Sequence, residues 1–382
     1  MMRVLRPVAL AAALAVMAAT PVVAAPAASA QTMRDRQWYL TTLDVAAAQK
    51  ITQGEGVVVA VVDSGIGEHP DLDGQALAGI SYLSDDNSLV DDSGHGSGMA
   101  GLIAAKGGNA DHLLGIAPKA KVLSVRTMTG SAPAPGTWTR IPDAIRWAVD
   151  HGAKLINIST GGYLETGSWE AVRYALDHDV LVVASTGNAK EFPDRTAVLD
   201  PASIPGVLAV TAVNRDGKVW DGALHGPQTV LAAPGVDIPL ASAAGGGRVI
   251  GYHESTNSTS NAAAIVSGAA ALIRAKYPQL PVKDVVQRLI ATADDAGAPG
   301  RDPEYGYGRL NLVKALTADV APVAANPLLS GVQGAPDDEV GSHTFPNVLG
   351  DAIIRMLTIG AVWVGVLLLA GLILLLTRRR RT

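Results

Sequence analysis

Four polar residues have the chemical types that acyl transfer requires. A serine attacks a carbonyl only with a base to take its proton, an acid to orient that base and a donor for the developing oxyanion. Ser260 begins the segment SNAAAIVSG and is the candidate nucleophile. Asp63, His95 and Asn188 are the candidates for the orienting acid, the base and the oxyanion donor.

Each candidate stands where a strand is expected to end or a helix to begin. Asp63 ends the apolar run GVVVAVVD, Asn188 ends VLVVASTGN, and His95 lies between two glycines in DDSGHGSGMAG. Each of these motifs alone is also common in ordinary turns and surface loops. Together they predict a site at one rim of a sheet, because parallel sheets gather chemistry at the carboxyl ends of their strands.

The elements that must position these residues alternate between residues 56 and 315. Buried parallel strands are predicted for GVVVAVVD, KVLSVRTM, KLINIST, VLVVAST and VLAVTAVN. Helices are predicted for IPDAIRWAVDHG, SWEAVRYALDHD, SNAAAIVSGAAALIRAKY and PVKDVVQRLIATAD. This alternation predicts an α/β fold, with a mostly parallel central sheet and helices on both faces.

The motifs VAVVDSGI, GHGSGMAG, ASTGN and STSNAAAIVSG, in this order, resemble those of the subtilisin-like serine proteases, or subtilases. The resemblance covers residues from about 38 to 316. It implies a three-layer subtilisin-like fold and an Asp63–His95–Ser260 triad that hydrolyses peptide bonds through an acyl-enzyme. It also implies an oxyanion hole formed by Asn188 and the backbone N–H of Ser260.

The resemblance implies a polypeptide substrate as well. Ser159, Thr160 and Gly161 match the family's substrate-binding strand, which pairs with an extended peptide. The residues VASTG before Asn188 would wall the specificity pocket.

Three positions depart from the family pattern. Ser258 stands where a Gly-Thr-Ser motif is usual, Ala264 where a Pro is usual, and Gly98 where a second His is frequent. The last two changes concern packing, but the Cβ of Ser258 is expected to crowd the acyl group or the leaving group. Ser258 therefore leaves open an alternative function, a catalytically silent peptide-binding or scaffolding subunit of a secretion complex.

Composition narrows the range of functions. A chain of 382 residues with 48% hydrophobic content can bury a large core, and its net charge of −5 with no basic face argues against nucleic acid as a partner. The absence of cysteine excludes disulfides, thiol catalysis and cysteine metal sites. We predict no cofactor and no metal site. Many subtilases bind calcium, so the resemblance leaves a structural calcium site open, but the stretch SDDNSLVDDSG lacks the acidic spacing of a dedicated calcium loop.

Both ends carry membrane-related signals. Two arginines precede the apolar run from Val8 to Ala19, and ASA at 28–30 suits cleavage after Ala30, which predicts a secretory signal rather than an uncleaved anchor. Residues 356–377 carry no charge and would form a helix about 33 Å long, enough to span a membrane. The arginines at 378–381 predict a cytoplasmic C-terminus, so the catalytic domain is expected outside the cytoplasm on a single-pass anchor in the cell membrane.

The predicted organisation has six parts: a signal peptide (1–30), a short N-terminal segment (31–55), the catalytic domain (56–316), a flexible tether (317–352), a transmembrane helix (353–377) and a basic cytoplasmic tail (378–382). This layout, with the residues QWYL near the start of the mature chain, is similar to the mycosins, the membrane-anchored subtilases of type VII secretion systems. That similarity implies secretion components as partners. The lack of cysteines is a departure, since mycosins usually have disulfides.

Overall fold

The computed structural model of the chain describes residues 31–329, with gaps at 84–86, 130–139, 163–165, 194–195 and 244–249. The predicted signal peptide, transmembrane helix and basic tail lie outside the described residues, as does most of the predicted tether. Within the described part of the chain, none of the helices has both the length and the apolar character needed to cross a membrane.

A seven-stranded sheet forms the centre of the domain. Its strands are β1 (Val58–Asp63), β2 (Ala76–Ser81), β3 (Lys121–Arg126), β4 (Leu155–Ile158), β5 (Leu181–Ser185), β6 (Leu208–Val213) and β7 (Leu231–Pro234). Their order across the sheet is β2-β3-β1-β4-β5-β6-β7, and every neighbouring pair is parallel. All residues of β4 to β7 are buried. Since consecutive side chains point to opposite faces, both faces of the sheet must be covered.

Helices provide that cover. The described helices are α1 (Met33–Arg36), α2 (Trp38–Thr42), α3 (Val45–Ile51), α4 (His95–Ala104), α5 (Ile141–Asp150), α6 (Ser168–Asp177), α7 (Thr259–Lys276), α8 (Val282–Ala291) and α9 (Leu312–Thr317). The helices α4 and α7 pack against each other and on the sheet, and α5 and α6 form a second pair of this kind. With the sheet between them, the two pairs give the predicted three-layer α/β arrangement.

The central helix α7 is buried along most of its length, from Thr259 to Arg274. A helix that is apolar all round must be surrounded by protein, and small side chains let its neighbours approach closely. At Gly268, an added Cβ would lie 2.6 Å from the Cβ of Ile116, which is too close for any larger residue. The small residues that the sequence places after Ser260 therefore serve the packing of this helix.

An antiparallel hairpin, β8 (Ile238–Ser242) with β9 (Gly251–Thr256), accompanies the sheet, and β8 packs on α4. The hairpin, β2 and β7 are not among the strands predicted from the sequence. The residues of β9, GYHEST, are mostly polar and lack the alternation of a half-buried strand, so their pairing depends on the partner strand.

Residues on either side of the predicted catalytic domain are packed against it. In the N-terminal segment, Tyr39 is fully buried and Trp38 Nε1 donates to the carbonyl of Val236 at 3.0 Å. After α9, the backbone N–H of Val323 donates to Asp284 on α8 at 2.7 Å, and Leu328 accepts from Gly206 at 3.2 Å. The first residues of the predicted tether therefore contact the domain, because polar groups of α8 and of the core bind their backbone.

Candidate active site

Three adjacent strands bring the candidate residues to one edge of the sheet. In the register, Val62 of β1 pairs with Ile158 of β4, and Ile158 pairs with Ala184 of β5, so these strands end side by side. Asp63 is the last residue of β1, and Ser159 directly follows β4. The chain enters the sheet at β1 and later adds strands on both sides of it, which is the type of crevice where α/β proteins place their sites.

Asp63 and His95 are hydrogen-bonded. The imidazole Nδ1 lies 2.8 Å from Oδ1 and 3.0 Å from Oδ2 of Asp63. The carboxylate is fully buried, while the histidine side chain is 23% exposed. Because an ionised carboxylate can only accept, Nδ1 carries the proton. In the neutral imidazole, Nε2 is then left as the acceptor, which is the arrangement a general base needs.

Glycines allow α4 to begin directly beside the end of β1. Gly94, the residue before α4, has φ of 78°, a left-handed conformation that favours glycine. A Cβ on Gly96 would lie 2.1 Å from the carbonyl oxygen of Gly65 and 3.2 Å from the Cβ of Asp63. Glycines on both sides of His95 therefore let the helix start approach the strand closely enough for the Asp63–His95 contact.

Asp91 organises the loop that carries His95, and the sequence analysis did not single it out. Its buried carboxylate accepts from the hydroxyl of Ser64 and from the backbone N–H groups of Gly94 and Ser97, each at 2.8 Å. These bonds join the turn after β1 to the first turn of α4. The signal for this role was present in the sequence, as a carboxylate four residues before His95, but turns commonly contain Asp.

Charges around His95 favour its protonated form. Burial alone lowers the pKa of the imidazole, but the carboxylate of Asp63 outweighs burial, and Asp91 and Glu191 add to its effect. The net result is a pKa raised to about 9. The imidazolium therefore forms readily once a proton arrives, and the neutral base is populated mainly at alkaline pH.

Ser260 is the second residue of α7, and its side chain is held at the same rim. Its Oγ donates to the backbone carbonyl of Ser159 at 2.9 Å. Since that carbonyl lies directly after β4, next to the end of β1, the candidate nucleophile is adjacent to the strand that carries Asp63. The Ser260 hydroxyl therefore donates to the Ser159 carbonyl rather than to His95.

A series of buried hydrogen bonds between polar groups fixes the start of α7 against β4. The hydroxyl of Ser267 donates to Asn157 Oδ1 at 3.0 Å, and Asn157 Nδ2 donates to Ser159 Oγ at 2.9 Å. The Ser159 hydroxyl in turn donates to the carbonyl of Ser260 at 3.2 Å. Asn157 and Ser267 were not predicted as site residues, because both stand within apolar segments and their hydrogen-bond partners are far away in the sequence.

Asn188 is held in one orientation. Its Oδ1 accepts from the backbone N–H and the hydroxyl of Thr259, both at 3.0 Å. Because a backbone N–H can only donate, the amide oxygen must face Thr259 and the amide nitrogen the other side. There Nδ2 donates to Ser258 Oγ at 3.0 Å and to the carboxylate of Glu191 at 3.1 Å. Glu191 is a further residue that sequence analysis did not identify.

Ser258 is placed differently from the sequence expectation of a crowding Cβ. It is the N-cap of α7, and its Oγ accepts from the backbone N–H of Ser260 at 3.0 Å as well as from Asn188. Serine is among the preferred N-cap residues, since its oxygen binds a free N–H of the first helical turn. Its hydroxyl, rather than its Cβ, is thus the group that faces the candidate oxyanion donors.

The predicted substrate-binding segment follows β4. Ser159 is buried, while Thr160 and Gly161 are partly exposed. A Cβ on Gly161 would lie 3.0 Å from the side chain of Leu199, so a larger residue would press on that neighbour. The structure places these three residues on the same rim as Asp63 and Ser260.

Candidate metal ligands are not clustered in the described part of the chain. Among those residues, no group of three His, Asp or Glu side chains could hold a metal ion. Part of the acidic stretch SDDNSLVDDSG, residues 84–86, lies outside the described residues. Within its described part, the carboxylate of Asp91 binds N–H and O–H groups of the protein.

The chain is similar to known proteins in both sequence and structure. The sequence profile described as the Subtilase family matches residues 54–308. Mycosin-3 of Mycobacterium tuberculosis is 33% identical over 329 residues, which cover 72% of this chain and 71% of that protein. Thermitase of Thermoactinomyces vulgaris is 31% identical over 287 residues, which cover 74% and 96%. A solved structure described as the serine protease MycP1, an essential component of the type VII (ESX-1) secretion system, matches with a TM-score of 0.66 and 30% identity over 76% of this chain and 90% of that one.

Proposed function

The chain belongs to the subtilase family of serine proteases, and from that premise we propose that it is a membrane-anchored, extracytoplasmic serine endopeptidase. The observation that carries the proposal is the convergence at one sheet edge. There His95 is hydrogen-bonded to Asp63, and Ser260, on α7, is hydrogen-bonded to the Ser159 carbonyl at the end of the neighbouring strand β4. Neither the Asp–His pair nor the serine alone would support hydrolysis.

Acylation begins when the Ser260 hydroxyl leaves the Ser159 carbonyl and donates to Nε2 of His95. The imidazole takes the proton as Oγ attacks the carbonyl carbon of the peptide bond, and the imidazolium is stabilised by the Asp63 carboxylate. Asp63 also keeps the proton on Nδ1, so Nε2 stays available. The raised pKa of His95 favours this transfer once the neutral base is present.

The tetrahedral intermediate places negative charge on the former carbonyl oxygen. Asn188 Nδ2 and the backbone N–H of Ser260 are the donors for this oxyanion, helped by the positive end of the α7 dipole. His95 then gives its proton to the leaving amine as the C–N bond breaks, which leaves an acyl-enzyme on Ser260. Water repeats the sequence to release the acid, and the reaction requires no cofactor.

The proposed substrate is an extended polypeptide. We assign its binding to the segment Ser159, Thr160 and Gly161, which would pair with the peptide backbone as an added strand. Two observations support this assignment. The segment continues from β4 at the sheet rim, and its last two residues are partly exposed beside the candidate nucleophile.

A fluorophosphonate probe tests the assignment of the nucleophile. Full-length protein in membranes should become labelled, and the modified peptide should contain Ser260. Ser260→Ala should give no label, and its turnover should fall by about 10⁶-fold, the size known for the corresponding change in subtilisin, a member of this family. A folded wild-type protein that stays unlabelled would contradict the proposal.

The alternative of a catalytically silent peptide-binding subunit has one observation in its favour. The hydroxyl of Ser258 already occupies both oxyanion donors. The probe separates the two functions, since a silent protein would bind peptides without labelling. We favour the protease because the acid, the base, the nucleophile and the donors are all present.

The proposed location rests on sequence signals at the two ends. We propose that residues 1–30 direct secretion and that residues 353–377 anchor the chain, with the domain outside and the arginines inside. In spheroplasts, an added protease should remove the domain but leave a C-terminal tag protected. A chain ending at residue 350 should be released in soluble form with unchanged turnover on small peptides. A tag that is degraded would refute this orientation.

We also propose that the protein works with a type VII secretion system. The proposal is supported by its similarity to Mycosin-3 and to MycP1, whose structure is described as part of such a system. Copurification of the full chain from mild detergent should recover membrane components of that system. Recovery of the chain alone under conditions that keep the complex intact would count against it.

A further inference from the structure

Ser258 places its hydroxyl where the proposed reaction needs an open oxyanion hole. Asn188 Nδ2 and the backbone N–H of Ser260 each lie 3.0 Å from Ser258 Oγ. Donors of an oxyanion hole are expected at about 2.7–3.1 Å from the oxygen they stabilise. We infer that Ser258 occupies the oxyanion hole of the free enzyme and competes there with the substrate, an inference that rests on the proposed function.

The two donors keep their directions without help from Ser258. The amide of Asn188 is oriented by Thr259, whose N–H and hydroxyl both bind Oδ1. The N–H of Ser260 belongs to the first turn of α7, where backbone N–H groups have no partner within the helix. Removing the Ser258 hydroxyl should therefore leave the hole assembled but empty.

The Ser258 side chain can leave the hole without moving the backbone. Its φ of −165° and ψ of 147° are extended values that any residue adopts, and its N–H donates to the Gly235 carbonyl at 2.9 Å. The residue is partly exposed, so χ1 can rotate to another staggered position. Such rotations take picoseconds to nanoseconds at exposed sites, far less than a turnover. The contact therefore changes an equilibrium and does not add a slow step.

The competition should act mainly on the transition state. A neutral substrate carbonyl gains little by replacing a neutral hydroxyl on the same two donors. An oxyanion does replace it, because hydrogen bonds to a charged oxygen are about twice as strong. The free energy needed to displace the Ser258 hydroxyl is therefore added to the barrier between the Michaelis complex and the transition state. Such a cost lowers kcat and leaves KM nearly unchanged.

Two substitutions separate the hydroxyl from the Cβ. Ser258→Ala removes only the oxygen, and Ser258→Gly removes the Cβ as well. On one fluorogenic peptide, we expect both to raise kcat by about threefold to tenfold, which is the rate equivalent of roughly one lost hydrogen bond. KM should change by less than about twofold. Asn311→Ala, which removes the N-cap of α9, is the matched control, and its kcat should equal that of the wild type.

A pair of inhibitors gives a second readout. A peptide aldehyde forms a hemiacetal with Ser260, and its oxygen needs the hole, whereas the corresponding peptide alcohol forms no adduct. In Ser258→Ala, the aldehyde should bind more tightly by the same factor as the gain in kcat. The affinity for the alcohol should be unchanged.

Three outcomes would overturn the inference while leaving the proposed function in place. A gain in Ser258→Gly alone would show that the Cβ is the obstacle. A loss of kcat in both variants would show that the hydroxyl assists the donors. Unchanged kcat in an active enzyme would show no competition, and the proposed function would stand.

If neither the wild type nor the variants react with a fluorophosphonate, the proposed function itself fails, and the inference falls with it. Activity in both variants but not in the wild type would contradict the proposed function of the wild type and would show that the Ser258 hydroxyl silences it.

Discussion

Two fully buried aspartates in this domain each hydrogen-bond to Nδ1 of a partly exposed histidine. Asp63 binds His95, and Asp71, in the 3₁₀ turn Pro70–Leu72, binds His112. The histidine side chains are 23% and 40% exposed, respectively. By the geometry of the pair alone, either could be an orienting acid with its base.

The surroundings of the two pairs differ. Beside Asp63 and His95 lie the start of α7, the Ser260 hydroxyl and two N–H donors. Asp71 also accepts from the N–H of Leu113 at 2.9 Å and from the hydroxyl of Tyr252 at 2.7 Å. Burial, followed by the bond to Asp71, raises the pKa of Tyr252, so its hydroxyl remains a donor. The second pair therefore joins a turn, a loop and β9. The histidine of an Asp–His pair can act as a catalytic base only where the fold also places a nucleophile beside it.

The largest difference between the pairs should come from Asp63→Asn. The amide keeps the shape of the side chain, but its N–H favours the tautomer with the proton on Nε2, where the base must be free. We expect peptide turnover to fall by about 10⁴-fold, the loss known for the corresponding aspartate of other serine proteases. The melting temperature should change little. A loss below tenfold in kcat would remove the distinction between the pairs.

Asp71→Asn should have the opposite result. It removes a buried charge that accepts from three donors, so we expect the free energy of unfolding to drop by about 2–4 kcal/mol. Denaturant unfolding measures this loss. Turnover per folded molecule, normalised by fluorophosphonate titration, should stay within about twofold of the wild type. A large fall in turnover with unchanged stability would place the second pair in the reaction.

The pH profile should report the first pair alone. Because the base must be neutral and its pKa is raised to about 9, activity should increase with pH, with its midpoint above the ordinary histidine value of about 6.5. His112→Gln should leave the profile where it is. A midpoint at or below 6.5 in the wild type would contradict the effect of Asp63 on His95.

The contribution of His95 to the stability of the fold should decrease with rising pH over the range in which activity increases. The folded protein holds the His95 proton more tightly than the unfolded chain, so this group stabilises the fold fully below about pH 6.5. Its contribution is lost as pH rises through about 9. Unfolding measured at several pH values should show a decline that is absent in His95→Gln. An equal decline in that variant would assign it to other groups.

The smallest expected effect concerns Glu191, whose carboxylate adds to the raised pKa of His95. Glu191→Gln should move the activity profile toward lower pH by a few tenths of a unit, because the charge is exposed and screened by solvent and salt. The shift should shrink further at high ionic strength. Asp111→Asn, a charge near Tyr252 at the second pair, is the control and should produce no shift. Equal shifts in both variants would mean that only the net charge matters.

Local sequence patterns were sufficient to predict the type of fold and the candidate catalytic residues. The strands β1, β3, β4, β5 and β6 and the helices α5 to α8 fall on the predicted segments, since apolar runs and helical spacing are local properties. Asp63, His95, Asn188 and Ser260 were identifiable because their chemical types and the short motifs around them are local as well. The hairpin of β8 and β9 was not, because the mostly polar β9 lacks the alternation of a half-buried strand.

The contacts that these side chains make depend on residues far away in the chain and could not be predicted from local patterns. The Asn188–Ser258 bond joins residues 70 positions apart, and the Ser260–Ser159 bond joins residues 101 positions apart. The Cβ of Ser258 was expected to matter, but its hydroxyl is held by the amide of Asn188 on another loop and by the backbone N–H of Ser260. In the same way, the motif around Asp63 marked it as the candidate acid, but the structural role of Asp71 depends on His112, Leu113 and Tyr252, which lie 41, 42 and 181 positions away. A hydrogen bond needs its partner within about 3 Å, and that condition is met only when the chain has folded.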